Sequence, residues 1–182
     1  DALNADAVTA FLRCTHERYY ARFREDFGTR LKGFFTDEPQ YANGLIPWSP
    51  VLDKAFFAEW GYDPKDKLGA FYLPADEDRA FRWQYYRTAS RLFCDGFIRQ
   101  MGDWCRDHGV RLTGHLMAED SLLSQLRSTG GVMSGYEYFD MPGIDWLGRG
   151  IASPVVPRQL GSAAAQLGKR QTLSESFALC GW

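Results

Sequence analysis

The chain is short of the residues from which compact reactive sites are most often built. Among 182 residues there are four cysteines, Cys14, Cys94, Cys105 and Cys180, at wide and irregular spacings. No C-x-x-C pair occurs, so neither a zinc ribbon nor a dithiol redox motif is indicated, and the four are expected as buried thiols, with a disulfide as the alternative. Three histidines, His16, His108 and His115, include no i, i+4 pair, which argues against a histidine-rich transition-metal site. No glycine-rich phosphate loop follows any strand-like run, which argues against a nucleotide-binding sheet. No apolar run approaches the roughly 18 residues of a membrane span, so no membrane partner is expected. The net charge is −2 and Lys and Arg are scattered among Asp and Glu, which leaves no basic stripe for nucleic acid. The chain opens on Asp1 without a charged leader or apolar h-region. A start without Met suggests a processed chain or a piece of a longer one, whose parent is plausibly secreted or periplasmic.

What is present is a core-forming composition, 45% hydrophobic and 15% aromatic, which excludes a disordered or fibrous chain. Apolar residues from Val8 to Phe23 recur at spacings of three and four, which predicts a helix over 6–26 ended by Gly28. Leu31 to Asp37 then reads as a short buried strand, stopped by Pro39. Residues 40–77 form an irregular, proline-rich insertion with a short helix near Leu52 to Trp60. Its aromatic rings, Trp48 among them, suit stacking on a sugar, although a small core of the loop's own is at least an equal reading for any one of them. Asp78 to His108 is a long helix stopped by Gly109, and Val110 to Leu116 a second strand. Ser121 to Arg127 is a short helix, Val132 to Phe139 a third strand, Val155 to Leu167 a helix and Arg170 to Phe177 a fourth strand.

Strand and helix alternate, which favours a parallel sheet with helices outside it. Polar residues at every strand end suit a (β/α)8 barrel, but a whole barrel takes about 250 residues. The expected fold is therefore α/β, a partial (β/α)8 TIM barrel holding roughly strands four to seven. Residues 1–182 would be a single fragment of it, and the remainder of the parent barrel would be a partner.

Carboxylates at the carboxyl ends of strands lie where loops gather and substrates bind. Glu38 ends the first strand and Glu175 the last. If the two face each other across one site, one can protonate a leaving oxygen while the other attacks the anomeric carbon or activates water, as glycoside hydrolysis requires. His115, at the second strand end, is a candidate contact to a sugar hydroxyl. Glu119, Asp140 and Asp145 are solvated loop residues on the plainest reading, yet their hard oxygens would suit Ca²⁺. Tyr136 and Tyr138 alternate with Glu137 on the predicted third strand, so Tyr136 is either core or a substrate contact.

Thr36-Asp37-Glu38-Pro39, Gly114-His115-Leu116, Pro142-Gly143-Ile144-Asp145, Leu173-Ser174-Glu175 and Gly181-Trp182 together resemble the catalytic barrel of the glycoside hydrolase family 106 α-L-rhamnosidases, over nearly the whole chain. Asp37-Glu38-Pro39 is also similar to the Asn-Glu-Pro of the clan A hydrolases. The resemblance implies that Glu38 is the general acid and Glu175 the general base of an inverting reaction, with a calcium ion helping to hold a terminal deoxy-sugar. Asp37 stands where the clan usually has Asn, a residue that bonds the sugar 2-hydroxyl. Two alternatives stay open: a retaining clan A β-glycosidase with Glu175 as nucleophile, and a non-catalytic carbohydrate-binding relative. In each the partner is a carbohydrate.

Overall fold

The computed structural model describes residues 1–74, 78–147 and 153–176. The predicted first helix is two: α1 (Ala5–Cys14) and α2 (His16–Phe23). The break falls at Thr15, whose hydroxyl donates to the Phe11 carbonyl and also meets His16 Nδ1. A threonine that bonds its own preceding turn competes with the helix ladder, and here it redirects the chain. A turn closed by Gly28, at φ +73, leads to β1 (Gly33–Thr36).

Residues 40–74 hold the short helix expected near Leu52 to Trp60 and one further helical segment. They carry α3 (Pro50–Trp60), capped by the Ser49 side chain, and a 3-10 segment, Pro64–Tyr72. Both pack on α4 (Arg79–Phe93), where Leu52, Phe56, Phe81 and Tyr85 are fully enclosed. Each such side chain contributes on the order of 2 kcal/mol by leaving water. After α4 the helix widens by a π segment, Cys94–Arg99, and continues as α5 (Gln100–Asp107). The long helix of the sequence reading is therefore present with one local change of pitch.

β2 (Arg111–Gly114) follows, then α6 (Leu122–Ser128), opened by a reciprocal Ser121 and Ser124 cap. The predicted third strand, Val132 to Phe139, is instead the helix α7 (Val132–Tyr136) and a turn, so Tyr136 and Tyr138 do not alternate on a strand. Gly135 lets α7 lie against Leu116 and Ile98: a Cβ there would stand 2.8 and 3.0 Å from their methyl groups.

The third strand is β3 (Met141–Trp146), which contains Pro142 and Gly143, two residues unusual inside a strand. The pairing explains both. β3 pairs with β2 only at Met141 and Pro142, and from Gly143 onward it pairs with β4 (Leu173–Ser176). Pro142, which cannot donate to a ladder, sits where β3 leaves one neighbour for the other. A side chain at Gly143 would meet the Gly114 carbonyl oxygen at 2.7 Å. Before β4 comes α8 (Val155–Leu167), closed by Gly168 in the left-handed conformation.

The four strands form one parallel sheet in the order β1-β2-β3-β4. α5 packs on β2 and α8 on β3. The expected partial (β/α)8 barrel is thereby corrected: this is a small α/β domain with one four-stranded sheet, open at β1 and β4 among the described residues. Alternation of strand and helix specifies parallel pairing, and polar strand ends specify where ligands bind. Neither specifies closure. Among the described residues no helix is long and apolar enough to cross a membrane. Cys94 and Cys105 are buried free thiols, Cys14 is exposed, and Cys180, Gly181 and Trp182 lie outside the described residues.

Candidate active site

Parallel pairing puts every carboxyl end of the sheet on one edge. The register sets Thr36 beside Gly114 and Gly114 beside Pro142, and farther along it sets Asp145 beside Glu175. Asp37 and Glu38 therefore leave β1 next to His115 leaving β2, with Asp145 and Glu175 carried on the last turns of β3 and β4. Glu38 is at φ +44, an uncommon conformation for a side chain of its kind, and one that turns the chain sharply off the strand.

His115 is at the centre of this edge and is 0% exposed. Its Nε2 lies 3.0 Å from Glu175 Oε2 and 3.4 Å from Asp37 Oδ1, and the Phe35 ring meets it edge-on at 5.4 Å. Asp37, His115 and Glu175 each offer a ligand atom within 4.8 Å of the others, and so do Glu38, His115 and Asp145. Two buried polar atoms here, His115 Nδ1 and Asp145 Oδ1, have no hydrogen-bond partner among the described residues. Unpaired buried polar atoms are rare and mark places where a ligand, ion or water belongs.

The electrostatics follow from the crowding. Loss of water raises the Glu38 carboxyl above its ordinary range, and Asp145, Asp37 and Glu175 add to this against the opposing pull of His115. Burial raises Asp145 as well, opposed by His115 and by a backbone N–H from Leu147, and supported by Glu175. A carboxyl that holds its proton more tightly than usual is suited to the acid of an acid–base pair.

Glu119 lies behind this front row and is 5% exposed. Its oxygens accept from the backbone N–H groups of Asp145 (2.9 Å) and Leu116 (3.4 Å) and from the Tyr136 hydroxyl (3.1 Å). Burial pushes its carboxyl up to about 7, with those three donors pulling the other way. Glu119 thus ties the loop after β2 to the end of β3, and Tyr136 is fully buried beneath it.

Two other predicted site residues stand apart from the cluster. Trp48, 48% exposed, lies beside α3 with Lys65 Nζ 5.6 Å from its ring. Asp140 lies at the start of β3, where its Oδ2 accepts from the Leu112 N–H at 2.9 Å and its Oδ1 is 3.9 Å from Arg106.

In front of Glu38 and Asp145 is a cavity of about 630 Å³, whose wall includes Met117, Asp120, Ser121 and Arg127. The size is ordinary for a small-ligand site. Sequence reasoning did not find Met117 or Arg127. Nothing in their local pattern tells a loop after β2, or the last turn of α6, that it faces β1.

Fold and site together define an α/β protein that gathers carboxylates around a histidine at the carboxyl edge of a parallel sheet. Among solved structures, a rhamnosidase from Novosphingobium sp. PP1Y is similar, with a TM-score of 0.74 and 21% identity over 96% of this chain. The chain spans 17% of that rhamnosidase's length. At this identity the likeness is one of fold. No family model and no curated protein sequence matches the chain.

Proposed function

We propose that this chain carries the site of a glycoside hydrolase of the rhamnosidase type, of the kind family 106 represents, and that it removes a terminal deoxy-sugar from a glycan. One observation carries the reading: Asp37, Glu38, Asp145 and Glu175, from three strand ends, surround a single buried histidine. The likeness of fold to a rhamnosidase supports it.

Glu38 is the general acid. Its raised affinity for a proton keeps it able to donate to the glycosidic oxygen as the bond from that oxygen to the anomeric carbon breaks. Glu175 is the general base. It takes a proton from the water whose oxygen forms the new bond to the anomeric carbon, so the proton lost by one carboxyl is balanced by the proton gained by the other. His115 is a positioning residue that holds Glu175 through Nε2. Asp37 faces the same space and is the candidate partner of a sugar hydroxyl.

Calcium fits the donor set. Asp37 and Asp145, which carry no proton in that reaction, offer hard oxygens, and the unpartnered Asp145 Oδ1 is of the type such an ion takes. These residues would hold it, and the ion would orient sugar hydroxyls by coordinating them.

The test is Glu38→Gln. Turnover of a disaccharide with a terminal rhamnose, whose sugar leaving group needs the proton, is expected to fall about 10²- to 10⁴-fold, with sugar binding kept within a few-fold. Undiminished turnover would remove Glu38 from the mechanism. Following the first-formed anomer by proton NMR separates the two enzymatic alternatives: inversion agrees with Glu175 as base, retention with Glu175 as nucleophile.

A further inference from the structure

A second cavity, about 1350 Å³, adjoins the first, and the two share Gly44, Leu123 and Arg127 in their walls. They form one groove that starts at Glu38 and Asp145 and passes Arg127. Beyond it lie Tyr72, 84% exposed, and Trp83, 56% exposed. Rings so open are not a loop's own core. Flat apolar faces beside polar groups are how proteins hold sugar rings, and a single terminal sugar at Glu38 would leave this half of the groove empty.

Charge says what kind of sugar would follow. The end at Glu38 is acidic, with Asp120 and Asp145 in its wall, and disfavours an anion. Farther along, Arg87 and Arg91 line the groove but are committed to Glu59 at 3.7 and 3.2 Å, and Arg87 also lies over the Trp83 ring at 5.1 Å. Arg127 differs from them. It is exposed on the last turn of α6, at the junction of the two cavities, and no hydrogen bond or ion pair to its guanidinium occurs among the described residues. A planar guanidinium in that place is matched to a carboxylate or an ester sulfate.

We propose that the groove binds an acidic oligosaccharide whose anionic group pairs with Arg127 and whose neighbouring rings stack on Trp83 and Tyr72, the terminal unit lying at Glu38. This rests on the glycosidase reading and names its substrate class.

Binding is measured by calorimetry on the Glu38→Gln protein, so that nothing is hydrolysed. Three probes are used: an oligosaccharide containing uronic acid units, its carboxyl-reduced form, and that reduced form carrying sulfate esters. An anionic probe is expected to bind at least about tenfold more tightly than the reduced one, with an advantage that shrinks as salt rises. Whichever anionic probe holds the advantage identifies the source of the charge. Adding Arg127→Gln is expected to bring the probes within about twofold of one another, Arg127→Lys to keep part of the preference, and Trp83→Ala to weaken all three. Equal binding of anionic and reduced probes with Arg127 in place overturns the proposal. So does a preference that survives Arg127→Gln in a variant with an unchanged melting curve. Turnover of a small neutral rhamnoside by the unmutated protein reports separately on the underlying reading. If it is absent, the glycosidase assignment fails. If it is present with no anionic preference, only the acidic substrate fails.

Discussion

Two histidines are sealed from water in this protein, and their surroundings give them opposite tasks. His115 has carboxylates on one side and an empty nitrogen on the other, as a group at a site should. His16 is packed in rings: it stacks on Phe34 at 4.4 Å and meets Trp104 and Phe11 edge-on. Thr15 bonds its Nδ1, and its Nε2 has no partner among the described residues. Burial lowers the affinity of His16 for a proton below the ordinary 6.5, and nearby Glu17 only partly offsets this. Below pH 6.5 the unfolded chain therefore binds a proton that the folded chain refuses. The stability contributed by neutral His16 is full above that pH and is lost as pH falls. Measured against His16→Phe, which keeps the stacked ring, the urea midpoint of the unmutated protein is expected to lose ground between pH 7.5 and pH 5.5, whatever slope the raised carboxyls of Glu119, Glu38 and Asp145 give to both. Identical slopes for the two proteins would show that His16 does not titrate on unfolding. At this scale the placement of much of the candidate site was legible. Glu38, His115 and Glu175 stand at strand ends, where a residue's position in the chain decides its position in space. The role of Glu119 was not legible, because its partners Asp145 and Tyr136 come from later elements whose placement no local pattern discloses.

The elements are held in register by places where a side chain cannot fit. Gly114 is the sharpest. Its φ is +141, and a Cβ there would stand 2.1 Å from the Thr36 carbonyl oxygen. β1 and β2 can approach at the site only because that atom is missing, and Asp37 and His115 are the next residues on the two strands. Gly114→Ala is expected to destabilise the protein by about 3 kcal/mol through combined strain and overlap. Gly61, with φ +79 and open space around it, supplies the contrast: Gly61→Ala is expected to cost about 1–2 kcal/mol, from conformation alone. Denaturant unfolding measures both, and equal losses would mean that the close approach at Gly114 is not under strain. The same contacts explain where the sequence misled at this scale. Apart from the break at Thr15 and the π segment Cys94–Arg99, the long predicted helices came through with small shifts at their ends, because a 3.6-residue period over ten or more positions is hard to imitate. Val132 to Phe139 did not, since a short apolar run with aromatic alternation reads equally as a strand or as a buried helical turn. What decides for the helix is that Gly135 fits against Leu116 and Ile98, a contact made across the fold.

For the whole molecule, alternation of elements carried the class and the direction of the sheet but not its outline. Among the described residues four strands of four to six residues pair in order, and no sequence pattern distinguishes an open sheet from an arc that goes on to close. What the arrangement does impose is an accumulation of like charge. Four carboxylates from three strand ends meet at one edge of a chain whose net charge is only −2, with one buried imidazole among them. Such a cluster opposes its own assembly: burial first, and the neighbouring carboxylates after it, raise the proton affinities of Glu38 and Asp145. A divalent cation bound there would relieve the repulsion in the folded state and find no comparable site in the unfolded one. If calcium binds, a concentration 100 times its dissociation constant stabilises the fold by about 2.7 kcal/mol. In a chain of this length that raises the melting temperature by about 5–10 °C. The rise is expected for the unmutated protein, to be reversed by chelator, and to be much reduced in Asp145→Asn, which keeps the side chain's shape but removes one charged oxygen donor. A melting temperature that is the same in calcium and in chelator would mean that the cluster works without the ion, the repulsion being met by shared protons and His115 alone.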